Sequence, residues 1–237
     1  MKPNIPIYII MSLLAFMLSS CKDECEWISI RSYHFIDCYE EWSSFDLRYN
    51  NANEIFSIRF KTKQKYYSAE FQGLFNPTQT VEDLNKFNEL AAKNNDVGYN
   101  WEDIYIYHST VRTAIYPKVT DILITSDRDY DESHPAGTPL NDIFMAYYHS
   151  FTQFLGNVDH SDIFPNHYYL GETRKPCNEI EKDELSVISP STFAIYPKHS
   201  PTAWTGKHKI TVTLTDENGN THSQTAETDL SDFKRFE

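Results

Sequence analysis

The chain has 237 residues, 40% hydrophobic, 15% aromatic and 23% charged, and its 21 Lys and Arg against 34 Asp and Glu leave a formal net charge of −13. That balance excludes collagen-like, disordered and multispanning membrane proteins. An acidic chain without a dense basic stripe is repelled by phosphate backbones, so nucleic acid is not an expected partner.

The first twenty residues divide into a basic start, an apolar run and a small-residue stop. Lys2 is the only charge before position 22. The run Ile7–Leu18 is long enough for a signal-peptide core and short of the roughly 20 residues that span a bilayer. It ends in Leu18-Ser19-Ser20-Cys21, which resembles the lipobox of bacterial lipoproteins. The resemblance implies cleavage before Cys21 and acylation of its sulfur and new amino terminus, so residues 1–20 are expected to be a lipoprotein signal peptide. Lys22-Asp23-Glu24 is similar to the charged export tag that sends many Bacteroidetes lipoproteins to the outer face of the outer membrane. A merely solvated tether over residues 21–26 is the alternative. Both readings place residues 27–237, expected to form one β-rich domain, outside the cytoplasm.

Of the remaining cysteines, Cys25 and Cys38 would sit about 40 Å apart if the segment between them were extended at roughly 3.3 Å per residue. That is too far for a bridge. Cys177 is therefore the expected partner of one of them. No Cys-x-x-Cys or Cys/His pair has zinc-ligand spacing.

In chain order, strands are predicted over Trp27–Phe35, Ser44–Tyr49, Ile55–Phe60, Tyr66–Phe71, Ile104–Tyr116, Thr120–Thr125, Phe193–Tyr196 and Lys209–Thr215, the last returning through Thr221–Thr228. In the final pair Ile210, Val212 and Leu214 alternate with polar residues, and Asn218-Gly219 between two strand patterns is a strong hairpin signal. Arg59-Phe-Lys61-Thr-Lys63-Gln-Lys65 alternates its charges as the outward face of a strand would. A helix is predicted over Thr80–Lys93, with Thr80 as cap and Val81, Leu84, Phe87, Leu90 and Ala91 on one face. A second is read over Asn141–Leu155, although its aromatics suit an extended strand nearly as well. Strands joined by turns, with one or two helices inserted, point to a mainly β (α+β) antiparallel β-sandwich, of which an immunoglobulin-like arrangement is one form. Ser186–Pro201, with its prolines and serines, is the best candidate for a boundary before a small C-terminal β unit.

The segment Asp127-Arg-Asp129-Tyr-Asp131 places carboxylates at alternating positions, as a calcium loop does when it gathers oxygen ligands. The rest of an EF-hand loop is missing, since Glu132 stands where glycine makes the turn and Thr138 stands where a bidentate Glu is required. The competing reading is a polar loop whose Asp side chains cap their own backbone. The stretch from Lys118 to Phe144, with its Asp-rich loop, His134-Pro-Ala-Gly137 and Leu140-Asn-Asp142, resembles a group of uncharacterised Bacteroidetes lipoproteins. That resemblance implies a lipid-anchored, extracytoplasmic β-rich domain and carries no known activity or site.

Asp159-His160-Ser161-Asp162 and His167 could ligate a metal, but a proline-containing loop carries them, and a solvated loop is the better reading. There is no G-x-S-x-G elbow and no H-E-x-x-H. With 34 acids, no carboxylate pair can be nominated for glycosidase work. In Trp101–Tyr107 alternation places Trp101, Asp103, Tyr105 and Tyr107 on one face. Flat rings with polar tips suit sugar or protein binding, so Trp101, Tyr105 and Tyr107 are the candidate ligand-binding residues. The expected function is a non-catalytic surface lipoprotein that binds a glycan or protein. The alternative is an extracytoplasmic hydrolase with an acidic or metal-dependent site.

Overall fold

The computed structural model describes residues 27–50, 55–76, 78–99, 101–106, 111–156, 171–204 and 206–230. Among them the elements are β1 (Trp27–Ser32), β2 (Cys38–Asn50), β3 (Ile55–Tyr67), α1 (Ala69–Phe75), α2 (Val81–Lys93), β4 (Trp101–Ile106), β5 (Thr113–Tyr116), β6 (Val119–Ser126), β7 (Phe144–Ser150), β8 (Glu172–Pro176), β9 (Ile188–Pro197), β10 (Lys207–Asp216) and β11 (Thr221–Asp229). The protein is mainly β. A six-stranded sheet in the order β5-β2-β3-β9-β7-β8 faces a three-stranded sheet in the order β11-β10-β6, and β1 and β4 form a separate two-stranded ribbon. Pairing is antiparallel except between β2 and β5.

Alternation builds the sandwich. Phe45, Phe56, Ile58, Phe144, Tyr148, Phe193 and Ile195 from the larger sheet close on Ile122, Ile124, Ile210, Val212 and Leu214 from the smaller one. Each such side chain contributes about 1.5–3 kcal/mol of transfer free energy on burial. Trp42 anchors one end, where its indole Nε1–H donates to Pro117 O at 2.7 Å and its ring packs on His222 of β11. The β10–β11 hairpin turns at Asp216–Asn220: Asp216 Oδ1 accepts the N–H groups of Asn218 and Asn220, and Gly219 takes φ +82°.

Helix α2 begins as its cap residues dictate. Thr80 Oγ1 accepts from Asp83 N–H at 3.1 Å and Asp83 Oδ2 accepts from Thr80 N–H at 3.0 Å, a reciprocal capping box. Phe87, Leu90 and Ala91 are buried, whereas Val81, predicted on the same face, is 77% exposed because the first turn overhangs the core.

Other expectations are corrected. The predicted helix over Asn141–Leu155 is strand β7, with Phe144, Ala146, Tyr148 and Ser150 buried in alternation. Phe144 and Tyr148 fit either period while Phe151 fits the helical one alone, and pairing with β8 and β9 on both sides settles it. The strand predicted over Tyr66–Phe71 stops at Tyr67, and α1 folds Phe71 and Phe75 against it. The long strand predicted over Ile104–Tyr116 is two strands in different sheets. The stretch 186–201, a candidate boundary in the sequence, contains β9, which lies between β3 and β7 inside the larger sheet. The lysines of β3 find acids on β2: Lys61 on Asp46, Lys63 on Glu41 and Lys65 on Glu40.

Cys38 and Cys177 are free and buried, which overturns a bridge between them. Cys38 opens β2 and Cys177 follows β8, four strands across the same sheet, roughly 19 Å at about 4.8 Å per strand. Burial instead pushes both thiols up to about 12. Cys25 lies outside the described residues.

Candidate functional site

One end of the sandwich is closed by the loop that leaves β6. Its three aspartates are spent on backbone donors. Asp127 Oδ1 accepts Lys209 N–H from β10 at 2.8 Å, and Asp129 Oδ1 accepts Ala136 N–H at 2.8 Å. Asp131 Oδ1 accepts the N–H groups of Ser133 and His134 at 2.8 and 3.0 Å. Three carboxylates therefore point to three different backbone sites, which is the capping alternative weighed in the sequence. Among the described residues no three His, Cys, Asp or Glu side chains gather as metal ligands would, and the calcium reading of Asp127, Asp129 and Asp131 finds no assembled ligand set.

The ring of His134 sits between two acids, with Nδ1 2.7 Å from Asp131 Oδ1 and Nε2 3.1 Å from Asp142 Oδ1. Burial would lower the histidine's pKa, but the hydrogen bonds to Asp131 and Asp142 outweigh it and hold the value above the ordinary 6.5. Next to it, Asn141 closes the edge of β6: its Oδ1 accepts Ile124 N–H and its Nδ2 donates to Ile122 O. The loop is thereby fixed to the sheet it leaves.

Under the loop lies a buried frame that the sequence did not reveal. Tyr130 is fully buried, its hydroxyl donates to His199 O at 2.6 Å, and its own carbonyl accepts from the N–H groups of Thr202 and Ala203. His208, 0% exposed, has Nδ1 2.8 Å from Ser126 Oγ and Nε2 2.9 Å from Trp204 O. A carbonyl only accepts, so Nε2 carries the hydrogen that holds Trp204. The Trp204 side chain, by contrast, is 46% exposed. The Arg128 guanidinium lies 5.2 Å from the centroid of its ring, and the absence of a side chain at Gly206 lets the indole approach, since a Cβ there would stand 2.7 Å from Nε1. The only sequence signal for this site is a tryptophan placed between Pro201 and Gly206, outside any strand pattern.

The candidates chosen from sequence fall elsewhere. Trp101 and Tyr105 stand on β4, opposite Ser32 and Ile28 of β1, on the ribbon outside the two facing sheets. Tyr107 lies outside the described residues, as do Asp159, His160, Asp162 and His167, and Cys21 with Lys22, Asp23 and Glu24. Among the described residues no helix is long and apolar enough to cross a membrane.

A second polar cluster is internal and structural. Arg112 donates from Nε and Nη2 to the two oxygens of Asp37 at 3.0 Å each, and its guanidinium lies over Phe35 and Tyr99. Asp96 accepts the N–H groups of Phe35 and Ile36 at 2.6 and 3.0 Å, tying the segment after α2 to the β1–β2 connection. Burial, with the charge of Asp37 adding to it, raises Asp96 to about 7 against those hydrogen bonds and Arg112. Compared with protein-family models, curated proteins and solved structures, the chain finds no match.

Proposed function

We propose that the chain is a lipid-anchored lipoprotein of the outer membrane, exposed at the cell surface, whose sandwich is a non-catalytic binding module for a glycan. The observation that carries the reading is Trp204. A large indole left nearly half exposed, while its own backbone is held by a buried histidine, is a rigid amphipathic contact surface with little entropy left to lose. Lipobox and charged tripeptide support the address, and the resemblance of residues 118–144 to Bacteroidetes lipoproteins agrees with it. A protein partner would use the same aromatic surface.

The hydrolase alternative has one specific candidate, His134 between Asp131 and Asp142. Both its ring nitrogens face carboxylates, so it serves the loop before any substrate. The test is a glycan array probed with the purified protein, with and without calcium, followed by chromatography of the glycans that bind. The expected result is retention of unaltered glycan that Trp204→Ala weakens. Released sugars would sink the non-catalytic reading, and glycan binding indifferent to Trp204→Ala would sink the site.

A further inference from the structure

We infer, resting on that reading, that the glycan is acidic and that the Arg128 guanidinium receives its carboxylate or sulfate group beside the Trp204 indole. Arg128 is the feature of this site that loop architecture does not use up. Its backbone N–H donates to Ser126 Oγ and so belongs to the frame, but its side chain is 55% exposed. Among the described residues the nearest carboxylate oxygen, Asp127 Oδ2, stands 3.9 Å from Nε, beyond hydrogen-bond reach, and the other oxygen of Asp127 is already engaged by Lys209 N–H.

The other stacked arginines differ. Arg112 is locked to Asp37 within the core, and Arg174, over Tyr147, donates to Glu172 at 3.0 Å. The indole holds the Arg128 guanidinium in place, which removes rotamer freedom that binding would otherwise have to remove. Its forked N–H edge matches a planar carboxylate or a sulfate with two parallel hydrogen bonds. A pyranose ring bearing that group would lay C–H surface against the exposed indole.

The overall charge works against the encounter. At −13 the chain repels anions at long range, so an anionic ligand must be held by contact at a cationic group presented for it. An acidic peptide would satisfy the guanidinium but would not lay a ring face on the exposed indole beside it.

The test uses the full chain, purified in detergent, and titrates oligogalacturonate against its methyl ester, and carrageenan oligosaccharides against their desulfated form, all in chelator. We expect each acidic form to bind on the order of tenfold tighter than its neutral counterpart, the worth of a charge-assisted pair of hydrogen bonds. Arg128→Gln should erase that difference with an unchanged melting temperature, Arg128→Lys should keep part of it, and Trp204→Ala should weaken acidic and neutral forms together. Equal binding of acidic and neutral forms, or a preference that survives Arg128→Gln, overturns the inference while leaving the glycan-binding reading intact. Poly-glutamate binding as tightly as the acidic sugars overturns the choice of glycan. Loss of all sugar binding in the wild type overturns the functional reading, and the inference with it.

Discussion

Ser126 Oγ lies 2.8 Å from Nδ1 of His208, and this contact couples the last residue of β6 to the second residue of β10 beneath the exposed Trp204. The histidine spends both ring nitrogens on the site frame. Replacing it by Phe keeps the bulk and leaves the Ser126 hydroxyl and the Trp204 carbonyl with one partner fewer each. His208→Phe should cost about 1–3 kcal/mol in denaturant unfolding and loosen glycan binding. A variant as stable as the wild type would show that the frame does not hold the tryptophan.

The Arg112–Asp37 pair lies against Phe35 and Tyr99, with both side chains at most one-tenth exposed. Arg112→Met removes the guanidinium opposite the buried Asp37 carboxylate, whose Oδ2 keeps the backbone N–H of residue 112, so it should destabilise by about 3–5 kcal/mol. Arg128→Gln, at the surface, should stay within about 0.5 kcal/mol of wild type. Similar losses for the two variants in urea unfolding would contradict this ranking.

His134 makes the loop pH-sensitive. Its folded pKa is raised above 6.5, so the stability it adds is fully present below that value and is lost as pH rises through the folded pKa. For Asp131, burial works upward, but hydrogen bonds from His134 and Ser133 hold the pKa below 3.8, so its share is lost as pH falls through the lowered value. The melting-temperature difference between wild type and His134→Gln should be largest between about pH 4 and 6.5 and shrink above it. Comparing the two proteins at each pH cancels Asp96, whose raised pKa makes stability fall from pH 3.8 upward in both. A difference that is the same on both sides of the histidine's titration would refute the linkage.

Cys38 and Cys177 should stay unreactive in the native protein, because a buried thiol held at about 12 supplies almost no thiolate. Iodoacetamide near neutral pH should modify neither until denaturant is added, as peptide mass mapping would show. A disulfide linking the two in protein isolated from its own compartment would contradict their separation across the sheet.

Cys21→Ser should release the protein from the membrane fraction and abolish labelling by fatty acid. Replacing Lys22, Asp23 and Glu24 with Ala should leave the lipid and hide the protein from protease added to intact cells. Unchanged protease access would reduce the tripeptide to a tether.

By itself, the sequence determined what local chemistry decides. Thr80 and Asp83 specify where α2 begins, Asn218-Gly219 specifies the last hairpin, and period-two alternation specifies the inner face of β10. The resemblance of Leu18–Cys21 to a lipobox likewise rests on neighbouring residues alone. Tertiary structure alone decided the rest. Phe144 and Tyr148 satisfy both periods, and residues 144–150 became a strand because β8 and β9 flank them. Asp127, Asp129 and Asp131 have the spacing of metal ligands, and only the positions of Lys209, Ala136 and Ser133 turn them into caps. Trp204, Arg128 and His208 lie on either side of a long chain excursion, and it is the pairing of β6 with β10 that brings Ser126 to His208 and so fixes Trp204 at the surface.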